Sequence, residues 1–161
     1  MTDFSSEQAA WLCFCVGERD FAIPFSTVAE VSVAETPRLI PFVPLSVGGI
    51  VNLRGEPLPV LRGEALFGSH GISLAEYVLV LAHAERRLGV IVSDVRRIDG
   101  VRYSATPKDP PGGPSFVEWV HSDGRALGLA DTEGLFAAVD ELLAQHAIPV
   151  VSGEASCPSG F

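Results

Sequence analysis

Histidine, cysteine and positive charge are all scarce in this chain. Its 161 residues include four histidines, three cysteines and eleven Lys and Arg, against twenty Asp and Glu. The formal charge of −9 works against general nucleic-acid binding, which needs cationic side chains to displace counterions. It works equally against docking on anionic lipid. No apolar run reaches the roughly 18 residues that a membrane-spanning helix requires. The opening MTDFSSEQAA has no basic region ahead of an apolar stretch, so no signal peptide is read there. Together these absences predict a soluble, cytoplasmic protein with no direct membrane insertion. His70, His83, His121 and His146 stand singly, without ligand spacing. Cys13 and Cys15 lie two apart in a strand-like run, on one face, and are too few to hold a metal alone. They read as ordinary buried strand residues, and Cys157, in a polar tail, as a free thiol. There is no glycine-rich loop between a strand and a helix, which argues against a nucleotide fold. Neither a cofactor nor a metal is expected.

What the chain has is short apolar strands. It is 47% hydrophobic, enough for a sizeable core in one domain. WLCFCVG (Trp11 to Gly17) is continuously apolar, as in a strand covered on both faces. FAIPF (Phe21 to Phe25) follows a GERD turn, with Pro24 suited to an edge or a strand end. Ser26 could N-cap a short turn. Val31 and Val33 alternate with Ser32 and Ala34, as in a half-buried strand. ETPRLIPFVP cannot be a helix interior, because each of its prolines removes a donor. EYVLVLAHA (Glu76 to Ala84) and LGVIVSDV (Leu88 to Val95) read as two strands joined at a charged turn. RRIDGVRYS (Arg96 to Ser104) reads as a more polar one. FGSHGIS and TPKDPPGGPS read as loops, the second mobile. FVEWVHS and RALGLAD form a hairpin across Asp123-Gly124. One helix is convincing, capped by Thr132 and running to His146, with Leu135, Phe136, Val139, Leu142 and Leu143 at helical spacing. Residues 1–9 and 147–161 are expected to be flexible around a domain spanning 10–146.

The stretch VGGIVNLRGEPLPVL (Val47 to Leu61) departs from a plain hairpin. It places Asn52-Leu53-Arg54-Gly55 between two apolar strands and puts Pro57 and Pro59 in the second. No nucleophile, base or metal ligand stands near it. Gly55 would relieve the turn after Arg54, and Gly49 would let another backbone approach closely. The two prolines deny ladder donors, so this strand is expected where one edge is left uncompleted.

This run, preceded by Glu30-Val31 and followed by YVLVL and LGVIV, resembles the chemotaxis coupling protein family, the CheW-like domain. The resemblance covers about Trp11 to Leu143. It implies a mainly β fold of two intertwined five-stranded SH3-like barrels with a C-terminal helix. It also implies a non-catalytic adaptor that binds the cytoplasmic tip of chemoreceptors and the regulatory domain of a CheA-type histidine kinase. By position it carries over a partner-binding set: Val28, Glu30, Val47, Gly49, Asn52, Leu53, Arg54, Gly55 and Gly89. In it Glu30 would pair with Arg54 at the groove edge, since the Arg fork suits a carboxylate. The plainer alternative makes Arg54 a solvated turn residue and Gly89 a strand-packing glycine. Arg62 and Gly63 stand where the family usually has aspartate and leucine, and Ser93 where it has aspartate. Two other readings compete. One is a specialised CheW-like protein that engages a single partner in gliding or pilus motility. The other, distant, is a small hydrolase built on Ser93, Asp94 and His83.

Overall fold

The structure, a computed structural model, describes residues 10–44, 46–69, 77–99 and 111–145. Ten strands and two α-helices follow in chain order. They are β1 (Ala10–Val16), β2 (Arg19–Pro24), β3 (Val28–Val33), β4 (Val47–Leu53), β5 (Glu56–Arg62), α1 (Gly63–Phe67), β6 (Tyr77–His83), β7 (Arg86–Val92), β8 (Asp94–Asp99), β9 (Val117–Ser122), β10 (Arg125–Ala130) and α2 (Thr132–Gln145). They form two five-stranded sheets, ordered β8-β1-β2-β10-β9 and β3-β6-β7-β5-β4. The chain starts in the first sheet, builds the whole of the second, and returns to finish the first. The intertwined two-barrel expectation holds.

Strand chemistry explains the layering. Along β1, Leu12, Phe14 and Val16 enter the main core, while Cys13 turns the other way onto Ala22, Val120, Leu127 and Leu129. Both faces are covered, as a continuous apolar run requires. The main core draws Phe21 and Ile23 from the first sheet, Leu79, Leu81, Val90 and Val92 from the second, and Leu135, Phe136 and Val139 from α2. Phe67, at the end of α1, is its hub: its ring lies 5.2 Å from Phe14, 4.6 Å from Phe21 and 5.5 Å from Phe116.

Several local expectations change. The strand read through LGVIVSDV breaks at Ser93: β7 ends at Val92 and β8 starts at Asp94, in the other sheet. Ser93 pins that crossing, its amide and hydroxyl both donating to the Cys15 carbonyl at 3.0 Å. The segment 25–27 is a 3-10 turn with no side-chain cap bond, so Ser26 is inside it rather than its cap. Asp131, not Thr132, caps α2, its carboxylate accepting from the Gly134 amide at 2.9 Å. The Thr132 hydroxyl instead shares a 2.7 Å hydrogen bond with Thr27. Strand β5 lies inside its sheet, not at an edge. Its register with β7 covers Val60–Arg62 only, however, so Pro57 and Pro59 sit in the half paired with β4 alone. The two ends expected to be flexible, residues 106–110 of the TPKDPPGGPS loop and residues 100–104 of the polar strand lie outside the described residues.

Candidate functional site

The Asn52–Gly55 stretch forms the tip of the β4–β5 hairpin. Arg54 and Gly55 both take positive φ, 51° and 86°, as a two-residue turn matched to strand twist requires. Asn52 closes the turn, its side-chain oxygen accepting from the Gly55 amide at 2.8 Å. A side chain at Gly55 would meet no neighbour, so that glycine serves backbone conformation alone. Gly49 serves close approach. Its φ is 131°, and a Cβ there would lie 2.4 Å from the Arg38 carbonyl oxygen. The β3–β4 crossing passes at that point, and Arg38 bridges Ile50 by two backbone hydrogen bonds of 2.9 and 3.0 Å.

The Arg54 guanidinium reaches across to β3 and donates to Glu30 Oε1 at 2.6 Å. The two residues that sequence comparison joins are therefore in contact. Their exposures differ, with the Arg54 side chain 78% exposed and that of Glu30 21%. The pair belongs to the surface, where such bridges contribute about 0–1 kcal/mol. Beside it Glu56 accepts from Arg87 of β7 at 3.2 Å.

Glu30 faces inward with Val28 and Ser32, which turns Val31 and Val33 to solvent. Alternation is present, but the valines hold the wet face. Val28 packing on the main core and Glu30 meeting Arg54 set the phase, and period two dictates the rest. Val28 and Val47 are half-buried against the main core, and Leu53 against Val51, Leu58, Val60, Val78 and Val80. Gly89 is buried farther in; a Cβ there would lie 2.5 Å from a Val60 methyl. The hairpin tip thus gathers Glu30, Asn52, Leu53, Arg54 and Gly55, with Val28, Val47 and Gly49 on the flanking strands and Gly89 in the interior.

A family model for the CheW-like domain matches residues 10–141. The chain belongs to the CheW-like domain family. It is similar to the chemotaxis protein CheW of Bacillus subtilis (strain 168), 25% identical over 145 residues that span 86% of this chain and 91% of that protein. It is also similar to chemotaxis protein CheW of Klebsiella aerogenes, 29% identical over 147 residues, with 84% and 86% covered. In fold it is similar to the scaffolding protein TtCheW from Thermoanaerobacter tengcongensis, with a TM-score of 0.65 at 23% identity over 80% of this chain and 92% of that one.

Within this CheW-like frame the departure at Gly63 has a structural reason. Gly63 is buried at the start of α1, where a Cβ would lie 2.5 Å from the Ile91 carbonyl oxygen and 3.1 Å from the Val16 methyls. The leucine usual there would not fit. The apolar pattern alone predicts no helix at α1, although Leu66-Phe67 followed by Gly68, a left-handed C-cap, is a usable signal for one. The hydrolase set is not assembled. Ser93 follows Val92, which is paired with Tyr77, whereas His83 ends the same strand β6 opposite Arg86; six strand residues separate them, roughly 20 Å. His83 packs on Phe136, ring centroids 5.4 Å apart. Among the described residues no cluster of His, Cys, Asp and Glu is placed to hold a metal ion, and no helix is long and apolar enough to cross a membrane.

The two described cysteines are chemically quiet. Burial pushes the Cys13 thiol up to about 11, from an ordinary 9.0. Burial and a hydrogen bond donated to Asp20 push Cys15 up to about 12.

Proposed function

We propose that this CheW-family chain is a non-catalytic adaptor coupling the cytoplasmic tip of chemoreceptors to the regulatory domain of a CheA-type histidine kinase. The observation that carries the reading is the Glu30–Arg54 pair in a chain of this family. It ties β3 to the β4–β5 turn and leaves most of the guanidinium in solvent, with donors free for an incoming carboxylate or carbonyl. The receptor tip is assigned to this face. Binding is tested by titrating the chain with a receptor-tip fragment and with the kinase regulatory domain. Saturable binding to both supports coupling. Binding to one alone supports the narrower reading, a specialised CheW-like protein of a gliding or pilus pathway. The unusual Arg62, exposed at the end of β5, favours keeping that second reading in the test.

A further inference from the structure

Four charged residues gather beside Leu53, where the enclosed face of the second sheet ends. Leu53 packs half-buried on Val51, Leu58, Val60, Val78 and Val80. Glu56 lies two residues before Leu58, Arg87 two before Gly89, and Glu30 opposite Val80. Strand alternation puts all three on that face. They are joined as Glu30–Arg54 at 2.6 Å and Glu56–Arg87 at 3.2 Å. In each pair one member is held in and the other stands out. The Arg54 side chain is 78% exposed and that of Glu56 74%, against 21% for Glu30 and 44% for Arg87. The turn therefore presents one positive and one negative group, two residues apart, with Leu53 opposite Glu56 in register. The β5–β7 register, continued from Val60 opposite Gly89, sets the exposed Glu85 level with Glu56. The neighbouring Arg86 is bound to Asp140, so the margin beyond Glu56 is acidic.

The first sheet supplies an internal comparison. Both sheets have one topology, with a parallel pair inside each, β5–β7 in one and β10–β2 in the other. Matching those pairs sets Val60 on Leu129 and Gly89 on Ala22. Register then sets Arg54 on Asp123, Glu56 on Arg125, Arg87 on Asp20 and Glu30 on Arg96. The turns agree in backbone, with φ of 51° and 86° at Arg54-Gly55 and 48° and 78° at Asp123-Gly124. Every charge is reversed between the two sets. Among the described residues, however, no ion pair joins Asp20, Arg96, Asp123 and Arg125. Asp20 accepts from the Cys15 thiol instead, and Ser122 stands where the second sheet has Leu53. A sheet of this topology thus forms without ion pairs at its turn. The pairs of the second sheet are not a requirement of the fold. What they add is two outward charges of opposite sign held in fixed places, which is a means of choosing a partner and its orientation.

We propose that Glu56, steadied by Arg87, is a second recognition residue of the receptor face and selects which receptor tip docks there. It takes a lysine or arginine of the receptor tip while Arg54 takes a carboxylate, and an apolar receptor side chain rests on Leu53. Arg87 is a positioning residue that acts through Glu56. The proposal rests on the coupling reading and on its assignment of this face to the receptor.

The test uses the full chain, with a receptor-tip fragment and the isolated kinase regulatory domain as separate probes. Glu56→Lys should weaken receptor-tip binding by about tenfold or more, and Glu56→Gln by less. Kinase-domain affinity should stay within about twofold, and urea melts should match the parent, because an exposed pair contributes little to folding. Raised salt should narrow the gap between Glu56→Gln and the parent. A set of receptor-tip fragments, each with one Lys or Arg reversed to Glu, supplies the decisive reading. At least one should bind the Glu56→Lys chain more tightly than it binds the parent chain. Unchanged receptor-tip affinity in Glu56→Lys overturns the role of Glu56 while leaving coupling intact. A loss that no reversed fragment restores overturns the ionic contact. A loss confined to the kinase domain overturns the assignment to the receptor. A parent chain that binds neither probe overturns the coupling reading itself, and the role of Glu56 with it.

Discussion

At the scale of single residues, Arg54 combines a cost and a gain that nearly cancel. Its left-handed backbone costs about 1–2 kcal/mol, and its exposed bridge to Glu30 contributes about 0–1 kcal/mol. Arg54→Gly should therefore leave stability within about 1 kcal/mol of the parent by urea denaturation. On the proposed assignment of this face to the receptor, receptor-tip binding should fall by about tenfold. A variant that binds normally would make Arg54 a turn residue and nothing more. A double-mutant cycle over Glu30→Ala and Arg54→Ala should return a coupling of about 0.2–1 kcal/mol. A buried pair would give more. The cysteines give a second residue-scale expectation. Their folded pKa values, about 11 and about 12, lie above the unfolded value. Below pH 9 both states keep these protons, so they add no pH dependence. As pH rises past 9 the unfolded chain ionises first, so stability falls across roughly pH 9–12. Cys13→Ser/Cys15→Ser should flatten that decline in pH-dependent denaturant melts.

At the scale of elements, the helix α2 is where sequence and structure agree on extent and differ on cause. Asp131→Ala should cost about 0.5–2 kcal/mol through loss of the cap on Gly134. Thr132→Ala should cost less and act through Thr27, and thermal melts of the two variants separate the roles. Apolar runs were the legible part. Strands β1, β6, β7, β9 and β10 followed from unbroken or alternating hydrophobic segments, because burial on one or both faces leaves that imprint directly. The turns at Arg54-Gly55 and Asp123-Gly124 were legible as well, since positive φ selects glycine at one position. The site was legible only through the family motif. No local pattern says that Glu30, twenty-four residues before Arg54, meets it. What stayed hidden depended on tertiary partners. The outward phase of Val31 and Val33 is set by contacts of Val28 and Glu30. The break at Ser93 is set by the Cys15 carbonyl across the sheet boundary. The glycine at 63 is required by Ile91 and Val16, which no window around it contains.

At the scale of the whole molecule, the two sheets share one core and cannot be separated without breaking it. The chain crosses between sheets after β2 and again after β7. Near each crossing a hydroxyl holds: Thr27 with Thr132, and Ser93 on Cys15. The helix α2 leaves the first sheet and lies on the second, where Arg86 of the β6–β7 hairpin forms a bidentate pair with Asp140 and stacks 5.3 Å above Phe136. Phe67 stands between Phe14, Phe21 and Phe116 at 1% exposure. Removing its ring leaves a cavity bounded by side chains that the rest of the core holds in place, so the walls cannot collapse onto it fully. Phe67→Ala should then cost about 3–5 kcal/mol. The loss should appear as one transition shifted to lower urea, with far-UV circular dichroism and Trp11/Trp119 fluorescence moving together, because both sheets lose the same support. Trp119 packs on Phe21 within the core, 5.5 Å between centroids, and so reports on the first sheet. The second sheet carries no tryptophan among its strands and reports through the dichroism. Two separated transitions, with fluorescence changing at one urea concentration and much of the β signal at another, would show that each barrel holds its own fold. One cooperative unit instead keeps the Glu30–Arg54 face in a fixed relation to the rest of the surface, as the proposed coupling of two partners in a defined geometry requires.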